Sequence, residues 1–111
     1  SIGDTSELIG ITKVLENSRK ENKPVLVSAT KSMTGHLLGA AGAIESIISV
    51  LAVKNNIIPA TINLENPDDA IPAAIKIVTG TSIETEVNYA VNNTFGFGGH
   101  TATSIFKKYT S

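Results

Sequence analysis

The sequence predicts an α/β fold in which a mixed sheet packs against one buried helix. Three observations carry that expectation. Through a polar loop, residues 39–54, with apolar or small residues on every side interrupted only by Glu45, Ser46 and Ser49, follow a short apolar, β-branched run, Val25 to Ser28. Unbroken apolar runs of this length mark strands buried on both faces of a parallel sheet. Near the end, 87–92 and 101–106 read as strands, and the span between them is too short for a crossover helix, so they pair antiparallel.

Asp4 followed by Glu7 has the spacing of a capping box, and Leu8, Ile11 and Leu15 then recur at helical intervals, which predicts a helix over 5–18. The charged stretch Arg19-Lys20-Glu21-Asn22-Lys23-Pro24 ends in proline and reads as a solvated turn into the Val25 strand. It is also basic enough to meet an acidic protein. Residues 39–54 form the second helix. A helix apolar all round is buried all round, and the rest of a 111-residue chain is too little to wrap it, so it is expected to pack against polypeptide outside these residues. It falls short of the roughly 18 uninterrupted apolar residues of a membrane span.

Glu45 lies in the first turns of that helix, where a carboxylate is costly unless it is paired. Lys31 is the natural partner, although a glutamate near a helix start also interacts favourably with the helix dipole. Residues 55–80 contain Pro59, Pro67 and Pro72 and the acidic pair Asp68-Asp69, and read as extended connection with brief strands, one of them at Ile75, Ile77 and Val78. In Phe95-Gly96-Phe97-Gly98-Gly99 the spacing and the strand that follows exclude a dinucleotide loop. His100 reads as a packed or surface histidine.

The net charge is −1, which gives no electrostatic reason to expect nucleic acid or an anionic membrane as partner. The chain has no Cys, so disulfides and thiolate metal sites are excluded, as is a thiol nucleophile. It starts at Ser1 and its single Met is Met33, so it is expected to be a C-terminal fragment or processed piece of a longer protein.

The richest stretch joins the first strand to the apolar helix: Ser28-Ala29-Thr30-Lys31-Ser32-Met33-Thr34-Gly35-His36-Leu37-Leu38-Gly39-Ala40-Ala41-Gly42. Strand-to-helix junctions are where α/β folds place chemistry. Thr30 to Gly42 closely resembles the Lys/His segment of the β-ketoacyl-acyl-carrier-protein synthases, condensing enzymes of thiolase fold. Asn93 to His100 resembles that family's glycine-rich gating loop, and Ile58 to Asp68 is similar to its connecting segment. The resemblance covers nearly the whole chain.

The resemblance implies the C-terminal half of a thiolase-like layered α/β/α fold, one C-terminal ketoacyl synthase domain over 1–111, with the half that bears the nucleophilic Cys lying outside the chain. It implies decarboxylative Claisen condensation of a malonyl thioester with an enzyme-bound acyl thioester in fatty-acid elongation, with the 111 residues inactive alone. His36 would donate a hydrogen bond to a thioester oxygen, Lys31 would act electrostatically through Glu45, and Phe97 would offer its backbone N–H to an oxyanion while its ring gates the acyl pocket. Phe95, Gly96, Phe97, Gly98 and Gly99 would form the gating loop, with Asn93 ordering it. No cofactor and no catalytic metal are implied; the family sometimes holds a structural cation near Glu45 and Asn93. The implied partners are acyl carrier protein, the N-terminal half of the enzyme and a second identical subunit, with neither nucleic acid nor membrane, in the cytoplasm of a bacterium or a plastid-type organelle. A non-condensing partner subunit of the same fold, a ketosynthase domain of a multienzyme, and a structural α/β domain without chemistry remain alternatives.

Overall fold

The computed structural model of the chain describes residues 2–16, 23–67 and 69–111. In order they form α1 (Ile2–Leu15), β1 (Val25–Val27), α2 (Lys31–Thr34), a 3₁₀ turn (Leu38–Ala40), α3 (Ala41–Asn55), β2 (Ile57–Ile58), β3 (Ile75–Ile77), β4 (Ile83–Glu84), β5 (Tyr89–Phe95) and β6 (Thr101–Lys107). Helix α1 starts earlier than its apolar spacing predicts. Asp4 therefore sits inside the first turn, where its charge suits the helix dipole, and does not cap the helix from outside. The predicted end of that helix, the charged stretch 19–22 and Asp68 lie outside the described residues.

Parallel and antiparallel pairing both occur, in keeping with the mixed α/β arrangement expected, and they are divided among short ladders. Among the described residues β1 pairs parallel with β3, and β2 with β4 and β5 with β6 antiparallel, as three separate two-stranded ladders. The β1–β3 and β2–β4 ladders are two or three residues long, too short to carry a third strand far. With β3 alone as neighbour, β1 is half-buried and not covered on both faces. The long pair is the β5–β6 hairpin, in register from Tyr89 opposite Lys107 to Phe95 opposite Thr101.

Helix α3 packs on that hairpin and on β2. Its buried residues are Ala41, Glu45 and Val53, whereas Ile47 is 57% and Leu51 48% exposed. Among the described residues the helix is thus buried along one face only, in keeping with the expectation that the chain alone is too short to wrap it. Leu38–Asn55, 18 residues of mean hydropathy 1.3, is long and apolar enough on average to cross a membrane, but Glu45, Ser46, Ser49 and Lys54 interrupt it, so it holds no uninterrupted apolar run of that length, as expected from sequence. Asn56 ends α3 in a left-handed conformation at φ 55°, a geometry asparagine accepts. Its Oδ1 then accepts the Val87 N–H at 3.1 Å and the Lys108 ammonium, tying the helix end to the start of β5 and the end of β6.

The region between Thr30 and Gly35, read from sequence as loop, contains the one-turn helix α2. Gly35 accepts its end at φ 73°, with its N–H donating to the Lys31 carbonyl at 2.8 Å.

Candidate functional site at the start of the apolar helix

Lys31 opens α2, and Glu45 lies a turn into α3. The Lys31 ammonium donates to Glu45 Oε1, so the pairing expected from sequence is present. The carboxylate side chain is 10% accessible and the lysine 41%: one partner is largely desolvated, and the other, partly exposed, sets its head group on the acid.

His36 lies five residues further along, exposed. Its Nδ1 accepts the Leu38 N–H at 3.0 Å. A backbone amide can only donate, so Nδ1 carries the lone pair and the proton of a neutral ring resides on Nε2, which is left as a donor. Leu38 holds this arrangement at φ 50°, a left-handed conformation that costs an L-residue with a branched chain about 1–2 kcal/mol. Backbone strain of this kind is retained where the surroundings over-determine it.

The β5–β6 tip carries the glycines. Gly96 N–H donates to the His100 carbonyl at 2.7 Å, and Gly98 and Gly99 follow each other at φ 86° and 84°. Two successive left-handed residues make a tip that glycine forms without strain. Phe97 stands on it 88% exposed, and Phe95 at its base is 56% exposed. The His100 ring lies against the loop, with Cδ2 3.8 Å from where a Cβ on Gly98 would stand.

The packing of α3 on β5 sets the two loops at one end of the molecule. Asn92 Nδ2 donates to the Gly42 carbonyl at 3.3 Å and to Ser46 Oγ at 3.2 Å, while Thr94 packs against Gly42 itself. The helix therefore runs opposite to the strand, and the residues before α3, with His36, lie at the same end as the residues after β5, with Phe97. They share that end, and no hydrogen bond joins them among the described residues.

One contributor was not picked out from sequence. Glu7, on α1, is bonded by the Asn93 side chain and lies within the field of Lys31. Burial, and then the charge of Asp4, raise its carboxyl above the ordinary glutamate value, while Lys31 and the Asn93 bond pull the other way. Asn93 Oδ1 also accepts the Thr103 hydroxyl at 2.9 Å across the hairpin, so Asn93 links α1 to both strands below the glycine tip. The capping-box reading accounted for Glu7 locally and hid its long-range role. For a structural cation the fit is poor: Glu45 is engaged by an ammonium, and among the described residues no three His, Cys, Asp or Glu gather.

Residues 1–65 match the family model described as β-ketoacyl synthase, C-terminal domain. The chain is 46% identical over 106 residues, 96% of its length, to 3-oxoacyl-[acyl-carrier-protein] synthase 2 of Vibrio harveyi, and 42% identical over 110 residues to that of Rhizobium meliloti. A protein of Schizosaccharomyces pombe named as a putative mitochondrial 3-oxoacyl-[acyl-carrier-protein] synthase is 41% identical over 108 residues. The chain spans 25% of the length of each. Among solved structures, the ishigamide ketosynthase/chain length factor superposes on 96% of the chain with a TM-score of 0.82 at 32% identity, over 25% of its own length. The ketosynthase from module 1 of the bacillaene synthase of Bacillus amyloliquefaciens FZB42 superposes on all of it at 0.87 and 22% identity, over 22% of its own length, a likeness of fold. On the match of more than half its residues to that model, with a Lys31–Glu45 pair and a glycine-tipped hairpin at one end of its apolar helix, the chain belongs to the β-ketoacyl synthase C-terminal domain family.

Proposed function

We propose that these residues are the C-terminal part of a 3-oxoacyl-[acyl-carrier-protein] synthase that extends fatty acyl chains. In the reaction a malonyl thioester loses CO₂, and the electron pair of the broken C–C bond passes into an enolate. The enolate carbon attacks the carbonyl carbon of an acyl group held as a thioester on a cysteine of the N-terminal half. The cysteine thiolate leaves, and the product is a 3-oxoacyl thioester on the carrier protein.

The barrier is negative charge on thioester oxygens, which fixed donors relieve. His36 supplies Nε2–H to the oxygen of the malonyl thioester, as a neutral ring that gives up no proton. The Phe97 backbone N–H faces the acyl-thioester oxygen, and its ring gates the acyl pocket as the glycines flex. Lys31, anchored on Glu45, adds positive potential without acting as a base, and Asn93 orders the strand that carries the gate. The functional partners are acyl carrier protein and an identical subunit. The compartment is the bacterial cytoplasm or a plastid-type organelle; of the relatives named above, the bacterial ones support the first and none is named as plastid.

The observation that carries this reading is the opposed course of α3 and β5, which brings the His36 and Phe97 segments to one end. A non-condensing subunit is the second reading, favoured by the likeness to a structure titled ketosynthase/chain length factor. Supplying the full-length protein with acyl- and malonyl-carrier protein separates them: a condensing enzyme releases CO₂ and forms the 3-oxoacyl product, and absence of both products refutes the proposal.

A further inference from the structure

Resting on the condensing-enzyme reading, we propose that Thr61 and Ser32 form a two-way clamp that positions the turn bearing Lys31. In the β1–β3 ladder Val25 N–H donates to the Ala74 carbonyl at 2.7 Å, and Val78 N–H to the Val27 carbonyl at 2.9 Å. Parallel pairing repeats every two residues on each strand, so a continued ladder would send the Ala29 N–H to the Val78 carbonyl. Thr61 takes both partners. Its own N–H donates to Val78 O at 2.6 Å, and its Oγ1 accepts the Ala29 N–H at 2.9 Å.

This exchange parts β1 from β3 at the point where the chain must lift away into α2. The next residue completes it in the other direction: Ile62 N–H donates to Ser32 Oγ at 2.9 Å. Lys31 is thus held between Ala29 and Ser32, each bonded to one of two adjacent residues some thirty positions along the chain. Thr61 is 8% exposed, so its hydroxyl is a fixed acceptor with little competition from water. Ser32 also donates its N–H to Ala29 O at 3.1 Å, closing the turn on itself. Thr61 and Ser32 are positioning residues: each hydroxyl is taken by a backbone N–H, and both set where the Lys31 stem begins and hence how its ammonium lies on Glu45.

The test compares two half-reactions in the full-length protein, decarboxylation of malonyl-carrier protein and acyl transfer onto the nucleophile. Thr61→Val keeps the shape and removes the acceptor. Misplacement of a catalytic group costs about tenfold to a hundredfold, so Thr61→Val is expected to lower kcat of decarboxylation by at least tenfold at nearly unchanged KM, with acyl transfer intact and Thr61→Ser restoring the rate. Ser32→Ala, at a less buried position, is expected to give a smaller loss of the same kind and decides the matter if Thr61→Val does not fold. Equal loss of both half-reactions, or loss of neither, overturns the clamp while leaving the condensing reading in place. A wild-type protein that decarboxylates nothing overturns that reading, and the clamp with it.

Discussion

Thr94 stands so close to Gly42 that a Cβ on the glycine would meet its Oγ1 at 3.3 Å. The contact is where α3 and β5 approach closely at the N-terminal end of the helix, beside the Asn92 bonds to Gly42 and Ser46. Alanine in place of a helical glycine ordinarily gains about 1 kcal/mol, yet here it must push the threonine aside. We expect Gly42→Ala to be close to neutral and Gly42→Leu to be strongly destabilising. In a Thr94→Ala background, Gly42→Ala should become stabilising by up to about 1 kcal/mol. Denaturant unfolding of the four proteins of the cycle measures this, and equal effects of Gly42→Ala in both backgrounds would show that the contact is not tight.

Lys31 and Glu45 give a second cycle. Lys31→Met leaves a carboxylate that is 10% accessible with its ammonium gone, at a cost of about 1–3 kcal/mol. Removing both charges in Lys31→Met/Glu45→Leu should recover most of that loss, because an apolar pair of similar volume replaces a buried ion pair at little cost. A double variant no more stable than Lys31→Met would mean the carboxylate was never desolvated.

Glu7 makes stability depend on pH. Burial and Asp4 raise its carboxyl in the folded protein, so between the unfolded value, about 4.3, and the folded one the native state holds more proton than the unfolded chain. Stability from this group is therefore full below the unfolded value and falls as the pH rises through the folded one. Glu7→Gln removes the dependence. Thermal melts from about pH 4 to pH 7 should show the variant gaining on the wild type as pH rises, and a difference constant with pH would contradict the assignment.

The parts of the fold legible in the sequence were those whose cause is local or periodic. The hairpin followed from alternation on either side of a glycine tip; the cost of a carboxylate in an apolar helix left the Lys31–Glu45 pair and a helix-dipole contact both open, and the family resemblance favoured the pair. Helix α2 was not legible, since a single turn has no period to read. Glu7 and Thr61 escaped for another reason: their partners, Asn93 and Ala29, are distant in sequence, and only the folded chain brings them together. The mixed pairing was legible, but its division into three two-stranded ladders was not, because short strands do not reveal how many neighbours they take. The two exposed loops, His36 and Phe97, could be named from the motif, but their sharing one end rests on the opposed course of α3 and β5, which spacing alone does not encode.

His36 is the residue on which the proposed chemistry turns, with Nδ1 occupied by the Leu38 amide and Nε2–H free to donate. Loss of one such donor lowers a rate by about 10²–10³. The direct measurement is CO₂ release from malonyl-carrier protein by the full-length His36→Ala protein, with its unfolding midpoint recorded alongside. Decarboxylation reduced by at least a hundredfold in a protein as stable as the wild type is the predicted result, and an unreduced rate would contradict the account.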